Sequence, residues 1–286
     1  MGELRAGRKA GGGGDGAALA GAVAVLAAAN VLNNRVAPRL APLTSAAATG
    51  ALLALARHRG ITWAEIGFRD PARGLRIGGL LASAVAGGYA VGIALPATRP
   101  LFRDERALSL SRARVLEEAL LQVPFGTVLL EEAGFRGVLP ALVARSHGPR
   151  VAAAVSSVLF GLWHVLPATD MAAANPALTR LATGETSAET SAETSAETSA
   201  ETSAETAGEG AGETSAEMSD GTAVETTRVV AGSVATTALA GLLFCELRRR
   251  GGLAAPALLH LATNSLGYLF ARLAPGDPGG TARRTV

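Results

Sequence analysis

Apolar segments about as long as a bilayer is thick recur along the chain, separated by short polar stretches. Nineteen residues from Ile77 to Leu95 carry no charge. A helix of that length rises about 28 Å, close to the ~30 Å hydrocarbon core of a membrane. The same pattern places further spans at about 17–32, 43–56, 117–143, 150–166, 229–247 and 253–273. It predicts an all-α fold, a polytopic membrane helical bundle with about seven transmembrane helices, six to eight being compatible with the soft boundaries of the first two. Arg5, Arg8 and Lys9 precede an apolar run as they would in a signal peptide, but the spans that follow favour a retained first helix.

Polar stretches divide this pattern into regions. Residues 1–16 read as a disordered tail, 17–166 as helices one to five, 229–273 as helices six and seven, and 274–286 as a second tail. Between them, residues 167–228 hold twelve acidic side chains and two arginines. Within that stretch 185–206 repeats Glu-Thr-Ser-Ala with period four, which stacks Glu on Glu at i,i+4 and offers no apolar face. A solvated, disordered acidic loop is the expectation. Residues 61–68 break the apolar pattern differently: Trp63 and Phe68 flank a short polar turn and suit an interfacial helix at headgroup depth.

Composition narrows the function classes. With 49% hydrophobic and 17% charged residues, the chain is too apolar for an ordinary soluble domain. Its arginines lie between apolar segments and form no basic patch interleaved with aromatics, so nucleic acid is not an expected partner. The lone Cys245 excludes a disulfide within one chain. The Ala-, Gly- and Arg-rich usage is that of a GC-rich coding sequence. An integral protein of a bacterial plasma membrane is expected, with the lipid bilayer as its surroundings.

Charge inside the spans changes the picture most. A charged side chain at the centre of a span costs roughly 2.5–3.5 kcal/mol on insertion scales, so such groups are paired, wet or functional. The fourth span carries Glu131, Glu132 and Arg136. On an α-helix Glu132 and Arg136 share a face, while Glu131 lies about 100° round the axis without a local partner. The fifth span ends in Phe160-Gly-Leu-Trp-His164, and the seventh carries His260-Leu-Ala-Thr-Asn264. Each alone suits helix–helix packing: an ion pair, a hydrogen-bonded histidine, an interhelical amide. Together they supply a carboxylate and imidazoles to activate water, and neutral donors to receive an oxyanion.

Glu-Glu-x-x-x-Arg at 131–136, Phe-x-x-x-His at 160–164 and His-x-x-x-Asn at 260–264, in that order on successive spans, resemble the CPBP family. These are the CAAX-protease and bacteriocin-processing (Abi) intramembrane endopeptidases. The likeness covers roughly residues 117–166 and 229–270, and the chain has Ala133-Gly134 where the family usually places a large apolar residue after the acid pair. What the resemblance implies is hydrolysis of a peptide bond in a membrane-embedded, membrane-bound or exported peptide, without a covalent intermediate. Glu131 would be the general base on water, with His164 orienting it. His260 and Asn264 would face the scissile carbonyl and donate to its oxyanion. Glu132, Arg136 and Phe160 would support that site. No cofactor is required in this mechanism. The family has also been called a metalloprotease, and zinc on Glu131, His164 and His260 is the second reading, although no His-Glu-x-x-His spacing is present. The alternative class is a catalytically inactive scaffold, or a proton-coupled transporter using the same Glu, His and Arg residues as a relay.

Overall fold

The computed structural model describes residues 12–174 and 213–274. No strand occurs among these residues, and the chain folds as an all-α polytopic helical bundle. Of the expected tails, 1–16 and 274–286, residues 1–11 and 275–286 lie outside the described residues, as does the repeat at 185–206, while Gly12–Gly16 belong to a helix.

Gly12–Val31 form α1 and Ala41–His58 form α2, joined by a single π turn and a 3-10 turn at Pro38. The short α3, Trp63–Ile66, is closed by a capping box between Thr62 and Glu65. Its flanking Trp63 and Phe68 are exposed and meet edge to face at 5.5 Å, as an interfacial turn requires. Then follow α4, Pro71–Ala94, and two short helices, α5 at Glu105–Leu108 and α6 at Arg112–Glu117.

From Glu118 the backbone departs from the expected α-helix. Glu118–Val128 and Glu132–Val138 are π-helical, separated by the single α turn of α7, Leu129–Glu131. Hydrogen bonds in such segments skip five residues rather than four, so each turn is wider. Pro124, which has no N–H to donate, lies within the first of them.

Leu139–Trp163 constitute α8, broken at Gly148, where φ is +81° and ψ 168°. Only glycine adopts that conformation without strain, and Pro149 follows it. The break falls between the expected spans 117–143 and 150–166. Val165–Ala174 form α9, Glu213–Gly251 α10, and Ala254–Leu273 α11. Helix therefore extends into both ends of the region 167–228 that composition assigned to a loop. Once an apolar segment has nucleated a helix, adding residues at its ends needs no new nucleus.

Among the described residues, five helices are long and apolar enough to cross a membrane: Asp15–Val36, Pro38–His58, Trp63–Ala94, Arg112–Asp170 and Thr227–Gly251. The fourth runs 59 residues and contains the Gly148 break. The segment expected as the last span corresponds to α11, which carries His260, Thr263, Asn264 and Arg272 and is not among the five.

Small residues bring these helices together, as expected where lipid supplies no hydrophobic drive between them. At Gly78 of α4 an added Cβ would lie 2.8 Å from the Leu258 Cβ and 2.9 Å from the Ala255 carbonyl oxygen of α11. At Gly241 of α10 it would lie 3.0 Å from the Ser157 Cα of α8. One apolar core gathers Leu26, Leu52, Ile66, Leu130, Phe135 and Phe160, and a second gathers Phe244, Leu247 and Leu259.

Gly78→Val is expected to lower stability by ~1–3 kcal/mol, the usual range for overpacking. Gly79→Val, at a position with no atom within 4 Å, is expected to change it far less. Thermal unfolding of both purified variants in one detergent checks the contrast, and equal melting temperatures would rule out the close α4–α11 contact.

Candidate active site

The site is built where the π-helical segment, the end of α8 and the middle of α11 meet. Hydrogen bonds across these elements fix α11: Tyr89 donates to the Thr263 carbonyl at 3.1 Å and Ser265 to the Ala119 carbonyl at 2.8 Å. On the other side Ser156 of α8 donates to the Phe135 carbonyl.

His260 sits between the two glutamates. Its Nδ1 is 2.8 Å from Glu132 Oε1, and its Nε2 is 3.5 Å from Glu131 Oε2. The first is a hydrogen bond, in which the carboxylate accepts; the second is an ion-pair distance. Glu131, Glu132 and His260 are all buried. Glu131 has a further partner, the Trp163 indole N–H, which donates to Oε1 at 2.8 Å. Adjacent acids that would diverge by about 100° on an α-helix thus serve one imidazole, one at each nitrogen.

Arg136 is 1% exposed, yet none of its three guanidinium nitrogens has a hydrogen-bond partner among the described residues. Its Nε lies 3.7 Å from Glu132 Oε1, close enough for charge pairing but too long for a hydrogen bond. The planar cation is instead covered by aromatic faces, with its central carbon 3.7 Å from the Phe160 centroid and 4.7 Å from that of Phe244. Such stacking is worth about 2 kcal/mol or more when desolvated. The i,i+4 pairing expected from the sequence is therefore loose: the wider π turn leaves Glu132 nearer His260 than Arg136.

His164 stands at the break between α8 and α9, with φ −84° and ψ 2°. Its Nδ1 is 2.7 Å from the Phe160 carbonyl oxygen. Because a carbonyl only accepts, Nδ1 donates in this contact, and in the neutral ring the lone pair is then on Nε2.

A cavity of about 1020 Å³ is lined by Glu131, His164, His260 and Asn264, together with Phe160 and Trp163. All four residues singled out for chemistry on three separate spans meet there. Glu132 and Arg136 do not line it and lie behind its wall. No three His, Cys, Asp or Glu side chains are grouped as metal ligands among the described residues. His260 Nδ1 is held by Glu132 and His164 Nδ1 by the Phe160 carbonyl, which leaves the Nε2 of each ring as the nitrogen available for chemistry.

Two contributors escaped the sequence reading. Trp163 had a signal, a polar indole N–H one residue from a histidine in an apolar run. Phe244 had none, since its role depends on α10 crossing Arg136.

Among known families, the model described as type II CAAX prenyl endopeptidase Rce1-like matches residues 118–266, just over half of the chain and all three motifs. No curated protein and no solved structure matches the chain.

Removing Glu132's charge leaves a buried guanidinium without compensation, a loss of roughly 3–5 kcal/mol for a buried pair. Glu132→Gln is therefore expected to lower the melting temperature sharply, and Glu132→Gln combined with Arg136→Met to recover most of the loss. A double variant as unstable as the sum of both single changes would show that the pair is not coupled.

Proposed function

The chain belongs to the type II CAAX prenyl endopeptidase Rce1-like family, and from that premise we propose that it hydrolyses a peptide bond of a membrane-embedded or membrane-bound peptide, using Glu131 as general base. The family and the apolar helices make it an integral membrane protease of the CAAX type. The observation that carries the finer reading is the placement of Glu131. It is the one acid of the pair on the cavity wall, held by Trp163 at one oxygen and facing His260 with the other.

In this reading a water bound against Glu131 loses its proton to the carboxylate as it attacks the scissile carbonyl. His164 offers the Nε2 lone pair left by its bond to the Phe160 carbonyl, and orients the water. His260, when protonated, donates from both nitrogens: Nδ1 to Glu132 and Nε2 into the cavity. Asn264, one helical turn along α11, adds a neutral amide donor. Together they receive the charge that develops on the carbonyl oxygen. Glu132 orients His260, and Arg136, stacked on Phe160, balances Glu132's charge from behind the wall. No step passes through a metal. A scaffold or proton relay would need the same charged residues but gives no reason for a cavity where base and oxyanion donors converge.

Glu131→Gln keeps shape and hydrogen bonding but cannot accept the proton. Turnover of a membrane peptide by purified protein is expected to fall by ~10²–10⁴-fold with the melting temperature preserved. Thoroughly chelated wild-type enzyme is expected to cleave at its full rate. Wild-type cleavage by Glu131→Gln would contradict the enzyme assignment. Loss of activity on chelation with recovery on adding zinc would replace the metal-free mechanism.

A further inference from the structure

Trp163 is the last residue of α8, and the helix breaks at the next residue. In a continuous helix the Trp163 carbonyl would accept from the N–H four residues on, but that residue is Pro167, which has none. The Asn30 side chain of α1 supplies the donor instead: its Nδ2 lies 3.1 Å from the Trp163 carbonyl oxygen. The orientation of that amide is itself fixed. Asn34 Nδ2 donates to Asn30 Oδ1 at 2.6 Å and to the Asn30 carbonyl at 2.9 Å, so the Asn30 NH₂ is turned toward Trp163. The next residue, Arg35, holds the far side of the same break, donating to Asp170 at 2.9 Å and to the Leu166 carbonyl at 3.3 Å. The end of α1 and the π turn after it therefore grip the α8–α9 break at two points, 133 and 135 residues away in sequence.

The other end of Trp163 reaches the site, through its 2.8 Å indole bond to Glu131. From these contacts we infer that Asn30, oriented by Asn34, is a positioning residue for Glu131. It replaces the donor removed by Pro167, fixes the backbone of Trp163 and, through the indole, sets the orientation of the base. The same anchor holds His164, the residue after Trp163, at its angle to the cavity. This inference rests on Glu131 being the general base, but the hydrogen-bond path it describes exists whether or not that reading holds.

The test uses the indole itself. The chain has two tryptophans, so in a Trp63→Phe background the single ¹⁵N-indole resonance of the full-length protein in detergent reports Trp163. Glu131→Gln is expected to shift that resonance, because an amide oxygen replaces a carboxylate as acceptor. Asn30→Leu is expected to shift or broaden it and to lower kcat by roughly 10–10²-fold, the scale of a catalytic group misplaced by about 1 Å, with KM changed less than about twofold. Asn34→Leu, which leaves Asn30 in place, is expected to act in the same direction and more weakly. Asn33→Leu breaks contacts to Ser45 and Gly126 instead, and the resonance is expected to stay where it is. An indole resonance unmoved by Asn30→Leu and Asn34→Leu would overturn the inference, and so would a lowered melting temperature with kcat and resonance unchanged. If Glu131→Gln shifts the resonance yet cleaves like wild type, the base assignment fails while the path from Asn30 to Trp163 stands.

Discussion

One imidazole between two carboxylates, inside an apolar bundle, is the interaction on which the rest of this structure depends. Burying Glu131 and Glu132 side by side without partners would be prohibitive in a bilayer. His260 meets one at each nitrogen, and the indole of Trp163 and the guanidinium of Arg136 approach the same two carboxylates from other sides. Both glutamates keep α-helical dihedrals, φ −66° and ψ −43° at Glu131 and φ −70° and ψ −42° at Glu132, and their side chains reach one imidazole from adjacent positions. The π-helical segment Glu132–Val138 that follows is a departure of a kind common at functional sites.

Arg136 shows how the same constraint shapes the surroundings. A guanidinium holds five donors, and the described residues give it no hydrogen bond. Its compensation is charge at 3.7 Å and two aromatic faces, which explains why Phe160 and Phe244 converge from α8 and α10. Charge matching and aromatic packing are therefore one feature here: the cation that balances Glu132 is also the platform that fixes Phe160, whose carbonyl sets the tautomer of His164. Glycine contacts between α4 and α11 bring His260 to that platform.

Much of this was legible in the chain, and the limits have physical causes. Hydrophobic period and span length report the surroundings of each helix, so the all-α membrane bundle followed from the sequence, whereas among the described residues five helices, not seven, are long and apolar enough to cross, one of them covering two expected spans. Spacing of the polar residues within spans singled out Glu131, His164, His260 and Asn264, and all four line one cavity. What spacing cannot report is which partner lies across a gap of 128 residues, and His260 with Glu132 is such a pair. Nor does a run of apolar residues distinguish bonds that skip four residues from bonds that skip five. For that reason the i,i+4 reading of Glu132 and Arg136 named the right residues but not their geometry. The contact of Asn30 with the Trp163 carbonyl belongs to the same class, since it spans 133 residues and no local pattern marks it.

The central claim is that Glu131 delivers water and does not itself attack the peptide. Rapid-quench intact-mass spectrometry of the wild-type protein during its first turnover of a membrane peptide tests this most directly. The account predicts a chain of unmodified mass at every time point, with both product fragments appearing together and no burst of the leaving fragment. An acyl adduct on Glu131, or release of one fragment ahead of the other, would contradict it.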